Sequence, residues 1–172
     1  MNYIVGITSD KTLKIKGHID KEEVIVLFDI GASHNFISHE LVRRLGILVE
    51  REKTFGVMVG NKVTVRGEGI CIRIKMEIQR VMVQQDYFPF DLGGVDVVLG
   101  VSWLSSLGDM CANWKNLTMA FEVERRHVML QGDPSQMAYG FDDEVLFGVW
   151  NIGTEVAEKE KIEMLDMYLQ RE

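Results

Sequence analysis

The pattern that most constrains this 172-residue chain is a hydrophobic period of two. In Ile70-Cys71-Ile72-Arg73-Ile74-Lys75-Met76-Glu77-Ile78-Gln79 every even position is apolar. Successive side chains on a strand point to opposite faces, so such a segment buries one face and wets the other. On that reading Cys71 stands on the face opposite the isoleucines. Lys11 to Ile19 alternates in the same way. Val24-Ile25-Val26-Leu27-Phe28 is instead continuous and rich in β-branched residues, the pattern of a strand covered on both faces. Shorter runs at Met58-Val59, Val63-Thr64-Val65, Val81-Met82-Val83, Asp96 to Leu99, Met119-Ala120-Phe121 and His127 to Leu130 predict further strands. Gly60-Asn61, between two of these runs, predicts a hairpin turn.

Two short helices interrupt the strands. Ser38 is placed to cap His39 to Leu45, with Gly46 suited to the left-handed position after the last turn. Ser102 to Leu107, followed by Gly108, has the same form. Many short strands with two brief helices predict an all-β fold, a small closed or orthogonally packed β-barrel.

The charge is unevenly placed. The chain carries 26 acidic and 19 basic residues, a net charge of −7. Met1 to Gly132 holds 16 of each sign, whereas Asp133 to Glu172 holds 10 acidic and 3 basic residues, so the whole imbalance lies in the tail. The change falls at Gly132-Asp133-Pro134-Ser135, a turn-forming cluster. Three segments follow: an N-terminal extension over 1–10, a globular domain over 11–132 and an acidic linker or tail over 133–172. In the tail Thr154 is placed to cap an amphipathic helix over 155–169, with Val156, Ile162, Leu165 and Leu169 near one face.

Several function classes drop out on composition. A globular part with balanced charge and no Lys/Arg run lacks the footprint that phosphate backbones select, so no direct nucleic-acid contact is expected. No apolar run approaches the roughly 20 residues of a membrane-spanning helix, and the N-terminus lacks a charged segment leading into a long apolar one. That leads us to expect no membrane association and a cytoplasmic or otherwise intracellular protein. Cys71 and Cys111 are far apart and the four histidines are scattered, so neither metal-ligand spacing nor a cofactor motif is present. Both cysteines read as reduced thiols, and His34 and His39 as exposed polar positions beside a helix cap.

One acid stands apart. Asp29 directly follows the five-residue apolar run 24–28, which puts its carboxylate at the end of a buried strand, where desolvation raises its pKa. A lone Asp at a strand end is also a common cap of a turn or helix, and this fragment alone leaves both readings open.

The wider context is more specific. Phe28-Asp29-Ile30-Gly31-Ala32-Ser33-His34-Asn35-Phe36-Ile37-Ser38 resembles the Asp-(Ser/Thr)-Gly-Ala-(Ser/Thr)-x-Asn-Phe-Ile signature of retropepsin-like aspartic proteases from Ty3/gypsy-type LTR retrotransposons, encoded in gag-pol polyproteins. Val57-Met58-Val59-Gly60-Asn61 and Gly67-Glu68-Gly69-Ile70-Cys71 are similar to the approach to the flap and the segment beyond it. Gly94-Val95-Asp96-Val97-Val98-Leu99-Gly100-Val101-Ser102-Trp103-Leu104 resembles the family's Gly-x-Asp-x-(Val/Ile)-Leu-Gly-x-x-Trp-Leu segment. The likeness runs from about Lys11 to Gly132.

The resemblance implies a retropepsin barrel and an aspartic endopeptidase acting on peptide or polyprotein substrates. It implies Asp29 as the catalytic carboxylate and Ile30, Gly31, Ala32 and Ser33 as the active-site loop. Gly60, Asn61, Gly67 and Gly69 would belong to the flap, and Leu99 and Gly100 would pack beneath the loop. A dyad needs two carboxylates sharing one proton, and a chain with one signature must borrow the second, so the resemblance implies a homodimer with Asp29 of each copy at the axis. Asp91, in Phe90-Asp91-Leu92-Gly93, is a second Asp-x-Gly but leads straight into the Asp96 strand, and reads as a turn. Asp96 reads as a structural group at a strand start. The departure from the family is Ile30, where Ser or Thr normally supplies a hydroxyl across the dimer axis. It motivates an alternative: a catalytically silent remnant, or a domesticated dimerisation or peptide-binding module.

Overall fold

The computed structural model describes residues 13–59, 64–113, 115–136 and 146–151. Eleven strands and two short helices follow the order β1 (Leu13–Ile19), β2 (Glu22–Phe28), β3 (Phe36–Ser38), α1 (His39–Leu45), β4 (Glu50–Val59), β5 (Thr64–Ile78), β6 (Val81–Phe90), β7 (Val97–Leu99), α2 (Val101–Leu104), β8 (Met110–Asn113), β9 (Thr118–Val123), β10 (Arg126–Gln131) and β11 (Leu146–Asn151). The all-β expectation holds.

The strands form an eight-stranded sheet in the order β1-β2-β7-β3-β6-β5-β4-β11 and a separate sheet β10-β9-β8. A further pairing of β1 with β5 turns the first six into a ring. That closure is narrow, resting on one residue pair, His18 with Glu77. It forms beside Gly17, where a Cβ would stand 3.0 Å from the Glu77 carbonyl oxygen. The expected barrel is therefore a ring with one thin seam, extended on one side by β4 and β11.

The apolar periods explain the packing. Leu13, Ile15 and Ile19 of β1 turn inward, and Val24, Val26, Leu27 and Phe28 of β2 are all buried. The main core gathers these with Ile37, Leu41, Met76, Ile78, Tyr87, Leu99, Trp103 and Phe121. A second cluster, built on Leu27, Phe36, Phe55, Val57, Phe90 and Val98, fills the space between the ring and β4. Helix α1 forms as its sequence predicts. The Leu41 amide donates to Ser38 Oγ at 3.1 Å, and Gly46 takes the left-handed conformation at φ 62° with its amide returning to Arg43 and Val42. Helix α2 starts at Val101, runs on as a 3-10 turn over Ser105–Leu107, and sets the Trp103 ring 5.7 Å from Phe28 and 6.1 Å from Phe121.

Three expectations need correction. Cys71 does not lie opposite Ile74 and Ile78: the β5–β6 register shifts between Cys71 and Ile74, and Arg73 adopts φ 50°. The extra residue inverts the alternation, so Cys71 joins Met76 and Ile78 in the core, with Ile74 packed against it. His34 is half-buried rather than exposed, with its ring edge-on to Phe88 at 5.5 Å, whereas His39 is exposed as expected. The segment after Gly132 is not wholly linker, since β11 pairs antiparallel with β4 from Leu146–Val59 to Asn151–Phe55. The predicted hairpin turn at Gly60-Asn61, the extension over 1–10 and the helix over 155–169 lie outside the described residues.

Candidate active site

Strands β2 and β7 run parallel and end together, with Phe28 beside Leu99. Immediately after Phe28 the backbone reverses: the Ala32 amide donates to the Asp29 carbonyl at 3.2 Å, closing a β-turn with Ile30 and Gly31 at its corners. The Asp29 amide donates to the Leu99 carbonyl at 3.1 Å, tying the turn to the end of β7. The Asp29 side chain folds back over the turn, where its Oδ1 accepts from the Gly31 amide at 2.8 Å. The carboxyl is buried, and that burial pushes its pKa up to about 6, opposed by the hydrogen bonds from the Gly31 and Ala32 amides. A carboxyl so placed carries a proton through mildly acidic pH, as a group that shares or donates a proton must.

The loop is held from below. Val101 and Ser102 donate to the carbonyls of Ala32 and Ser33 at 2.7 and 3.0 Å. Gly100 passes so close that a Cβ there would stand 2.4 Å from the Ala32 oxygen and 2.3 Å from the His34 oxygen, which no side chain can occupy. Its amide donates to Asn35 Oδ1 at 3.0 Å, while Asn35 Nδ2 donates to Gln85 Oε1 at 3.2 Å. Among the described residues Asn35 is one of three buried polar or charged residues, with Asp29 and Ser38. Sequence reasoning gave it no role. Its signal was its place in the Ala32-to-Ile37 stretch, a polar side chain directly before two apolar residues. Beside it, Ser33 Oγ and His34 Nδ1 are 2.8 Å apart.

Of the residues expected in the flap, Gly67 and Gly69 lie in β5, on the stem of the β4–β5 hairpin. Gly67 faces Phe55 across the ladder. The Phe55 ring covers it so closely that a Cβ would fall 2.1 Å from a ring carbon. Phe55 also packs on Phe88 at 4.8 Å, linking the hairpin stem to the ring beside His34. Gly69 has φ +89° and sits against Val49 where the β4–β5 register shifts. Gly60 and Asn61 lie outside the described residues.

Neither of the other two candidate acids reaches Asp29. Asp96 accepts from the Ile25 amide at 2.8 Å and approaches Arg44 at 3.9 Å. Ile25 is four residues upstream on β2, roughly 13 Å away at strand rise. Asp91 is exposed and accepts from Gly93 at 3.3 Å. It follows Phe90, which pairs with Ser38, and Ser38 in turn donates to the Asp96 carbonyl, so both acids mark the end of the sheet opposite Asp29. Among the described residues no group of three His, Cys, Asp or Glu is placed to hold a metal ion.

The model of the retroviral aspartyl protease family matches residues 12–126, more than half of the sequence. The chain belongs to that family. The structure of this aspartyl protease family member is similar to the retroviral protease-like domain of Ddi1 from Leishmania major, at 18% identity and a TM-score of 0.55, over 72% of this chain and 95% of the other. At that identity the likeness is one of fold. No curated protein matches the sequence. Strands β1 to β9 fall within the matched span, whereas β11 lies beyond it. Among the described residues of this family member no helix is long and apolar enough to cross a membrane.

Proposed function

We propose that this chain is an aspartic endopeptidase of Ty3/gypsy-type retrotransposon origin, cleaving gag-pol polyprotein bonds with a water activated by two Asp29 carboxyls, one from each copy of a homodimer. The observation that carries this reading is the buried Asp29 carboxyl on its β-turn, raised in pKa and with the other two candidate acids at the far end of the sheet. In the proposed chemistry the dyad holds one proton between two carboxyls. The ionised carboxylate takes a proton from the water as its oxygen attacks the scissile carbonyl carbon. The protonated carboxyl gives its proton to the carbonyl oxygen, and the tetrahedral intermediate collapses with protonation of the leaving amine. Ala32 and Ser33 would begin the cleft wall, Leu99 and Gly100 would brace the loop, and the hairpin from Gly60 to Gly69 would close over substrate and exclude water. No cofactor or metal enters, and the setting is intracellular, the cytoplasm or virus-like particles.

The test is peptide cleavage by the purified chain between about pH 4 and 7. We expect turnover at mildly acidic pH, inhibition by pepstatin-type compounds, and loss of activity in Asp29→Asn. Cleavage that survives this substitution overturns the proposal.

A second reading rests on Ile30, which is half-exposed beside Asp29 and has no side-chain hydrogen-bonding group. Under it the chain is a silent remnant or a dimerisation or peptide-binding module. That reading expects peptide binding without turnover and gain of cleavage in Ile30→Thr; robust wild-type cleavage excludes it.

A further inference from the structure

Strand β4 has β5 on one side and β11 on the other. The edge of a strand presents a row of N–H and C=O groups that recruits any extended segment able to complete the ladder. The family match ends at residue 126, so this edge is filled by a segment from outside the matched domain. What β11 covers is the half of β4 nearest the candidate site, since its pairings run from Phe55 to Val59. Phe55 and Val57 belong to the same buried cluster as Ala32 of the Asp29 turn. Phe55 also packs on Phe88, the ring that His34 meets edge-on.

We infer that the outer edge of β4 over residues 55–59 is a strand-addition site for an extended polypeptide, and that β11 is its tethered occupant, which an incoming peptide displaces. The binding step stands apart from the protease reading; joined to that reading, β11 makes the hairpin self-blocking. The ladder suits an occupant that must leave. It has five residue pairs, and its register shifts between Leu146 and Gly148, where a bulge leaves a residue unpaired. Gly148 inside the strand weakens it further. The nine residues 137–145 connect β11 to the turn at Pro134–Gln136, and a segment on so short a link meets its site at an effective concentration on the order of 1 mM. The link keeps a weak pairing filled, and a peptide that binds the edge more tightly replaces it. Main-chain pairing also sets the class of partner: an extended segment of about five residues, antiparallel to β4, with no proline where an amide must donate.

The experiment uses the full chain as wild type and with Val149→Pro and Trp150→Pro combined. Successive residues of a strand turn their amides to opposite edges, so this pair removes a donor to β4 in either register. The probe is a fluorescein-labelled peptide with the sequence of residues 142–153, read by fluorescence polarisation. It should bind the double-proline variant at least tenfold more tightly than wild type, and the same peptide carrying both prolines should not bind. Hydrogen exchange over residues 55–59 should quicken at least tenfold in the variant without added peptide. Val149→Thr, which keeps the amide, should match wild type in both measurements. As a second route, Val57→Cys with Val149→Cys, register partners, in a Cys111→Ser background should lose probe binding on oxidation and regain it on reduction. Equal probe affinity in wild type and the double-proline variant, or unchanged exchange over 55–59, overturns the inference. In the cleavage assay the double-proline variant should show a KM at least threefold lower with kcat within twofold; an unchanged KM in a cleaving enzyme overturns it as well. Probe binding that the prolines unmask in a chain that never cleaves peptide sustains the inference and overturns the protease reading.

Discussion

The Gly100 amide donates to the Asn35 side-chain oxygen at 3.0 Å across 65 positions of sequence, joining the start of α2 to the loop that follows Asp29. Both groups are buried, and the other end of the Asn35 amide is committed to Gln85. The pair acts as a cross-brace under the candidate site.

Asn35→Leu should therefore destabilise the fold by about 1–3 kcal/mol, since it strands a buried amide without an acceptor. Asn35→Asp keeps the acceptor for Gly100 but loses the donor to Gln85, and should fall between wild type and Asn35→Leu above pH 5. Chemical denaturation of the three proteins orders them. Equal midpoints would remove the brace from the account.

The Asp29 carboxyl sets a pH dependence of stability. Its folded pKa, about 6, lies above the unfolded reference of 3.8, so the folded state holds the proton more tightly. Its favourable contribution is complete below the unfolded value, declines as pH rises through this interval, and is lost above pH 6. The difference corresponds to roughly 3 kcal/mol. Asp29→Asn keeps an oxygen for the Gly31 amide without ionising, so it should be more stable than wild type above pH 6 and close to it below pH 4. Thermal melts across that range measure the crossover. A variant uniformly less stable than wild type contradicts it.

Gly67 and Phe55 should couple. Gly67→Ala alone drives a methyl into the Phe55 ring and should cost about 1–3 kcal/mol. In a Phe55→Ala background the collision is absent, and alanine, the better strand residue, should be neutral or stabilising by about 0.5–1 kcal/mol. A double-mutant cycle reads the change of sign.

Tyr87 is fully buried and its hydroxyl has no hydrogen-bond partner among the described residues, with burial raising its pKa above the usual phenol range. Tyr87→Phe removes the orphan oxygen and keeps the ring, so it should be neutral or stabilising by about 1 kcal/mol. Loss of more than that in a urea titration would mean the hydroxyl has a partner in solution.

How much was legible in the sequence varied from element to element. The α1 boundaries were readable because Ser38 and Gly46 satisfy the helix ends locally. The β1 and β2 strands were readable because each shows its own burial pattern in side-chain order. Cys71 was misplaced because a bulge is one residue of backbone geometry with no compositional mark: Arg73 at φ 50° inverts the faces, and nothing in Ile72-Arg73 announces it. The reversal between β5 and β6 is equally quiet. It uses Gln79 and Arg80 with φ of 43° and 73°, where glycine or asparagine would have been the usual sign.

At the candidate site the sequence by itself determined the Asp29 turn, the apolar strand that buries the carboxyl and the oddity of Ile30, because each is a property of neighbouring residues. Tertiary structure alone decided what surrounds them. It set Asn35 as the brace, seated Phe55 on Gly67, and carried Asp91 and Asp96 to the other end of the sheet. It also drew β11 from the acidic segment onto the edge of β4. The physical reason is common to all of these: hydrogen bonds and steric exclusions between residues far apart in sequence follow from strand order and register, which local composition does not encode.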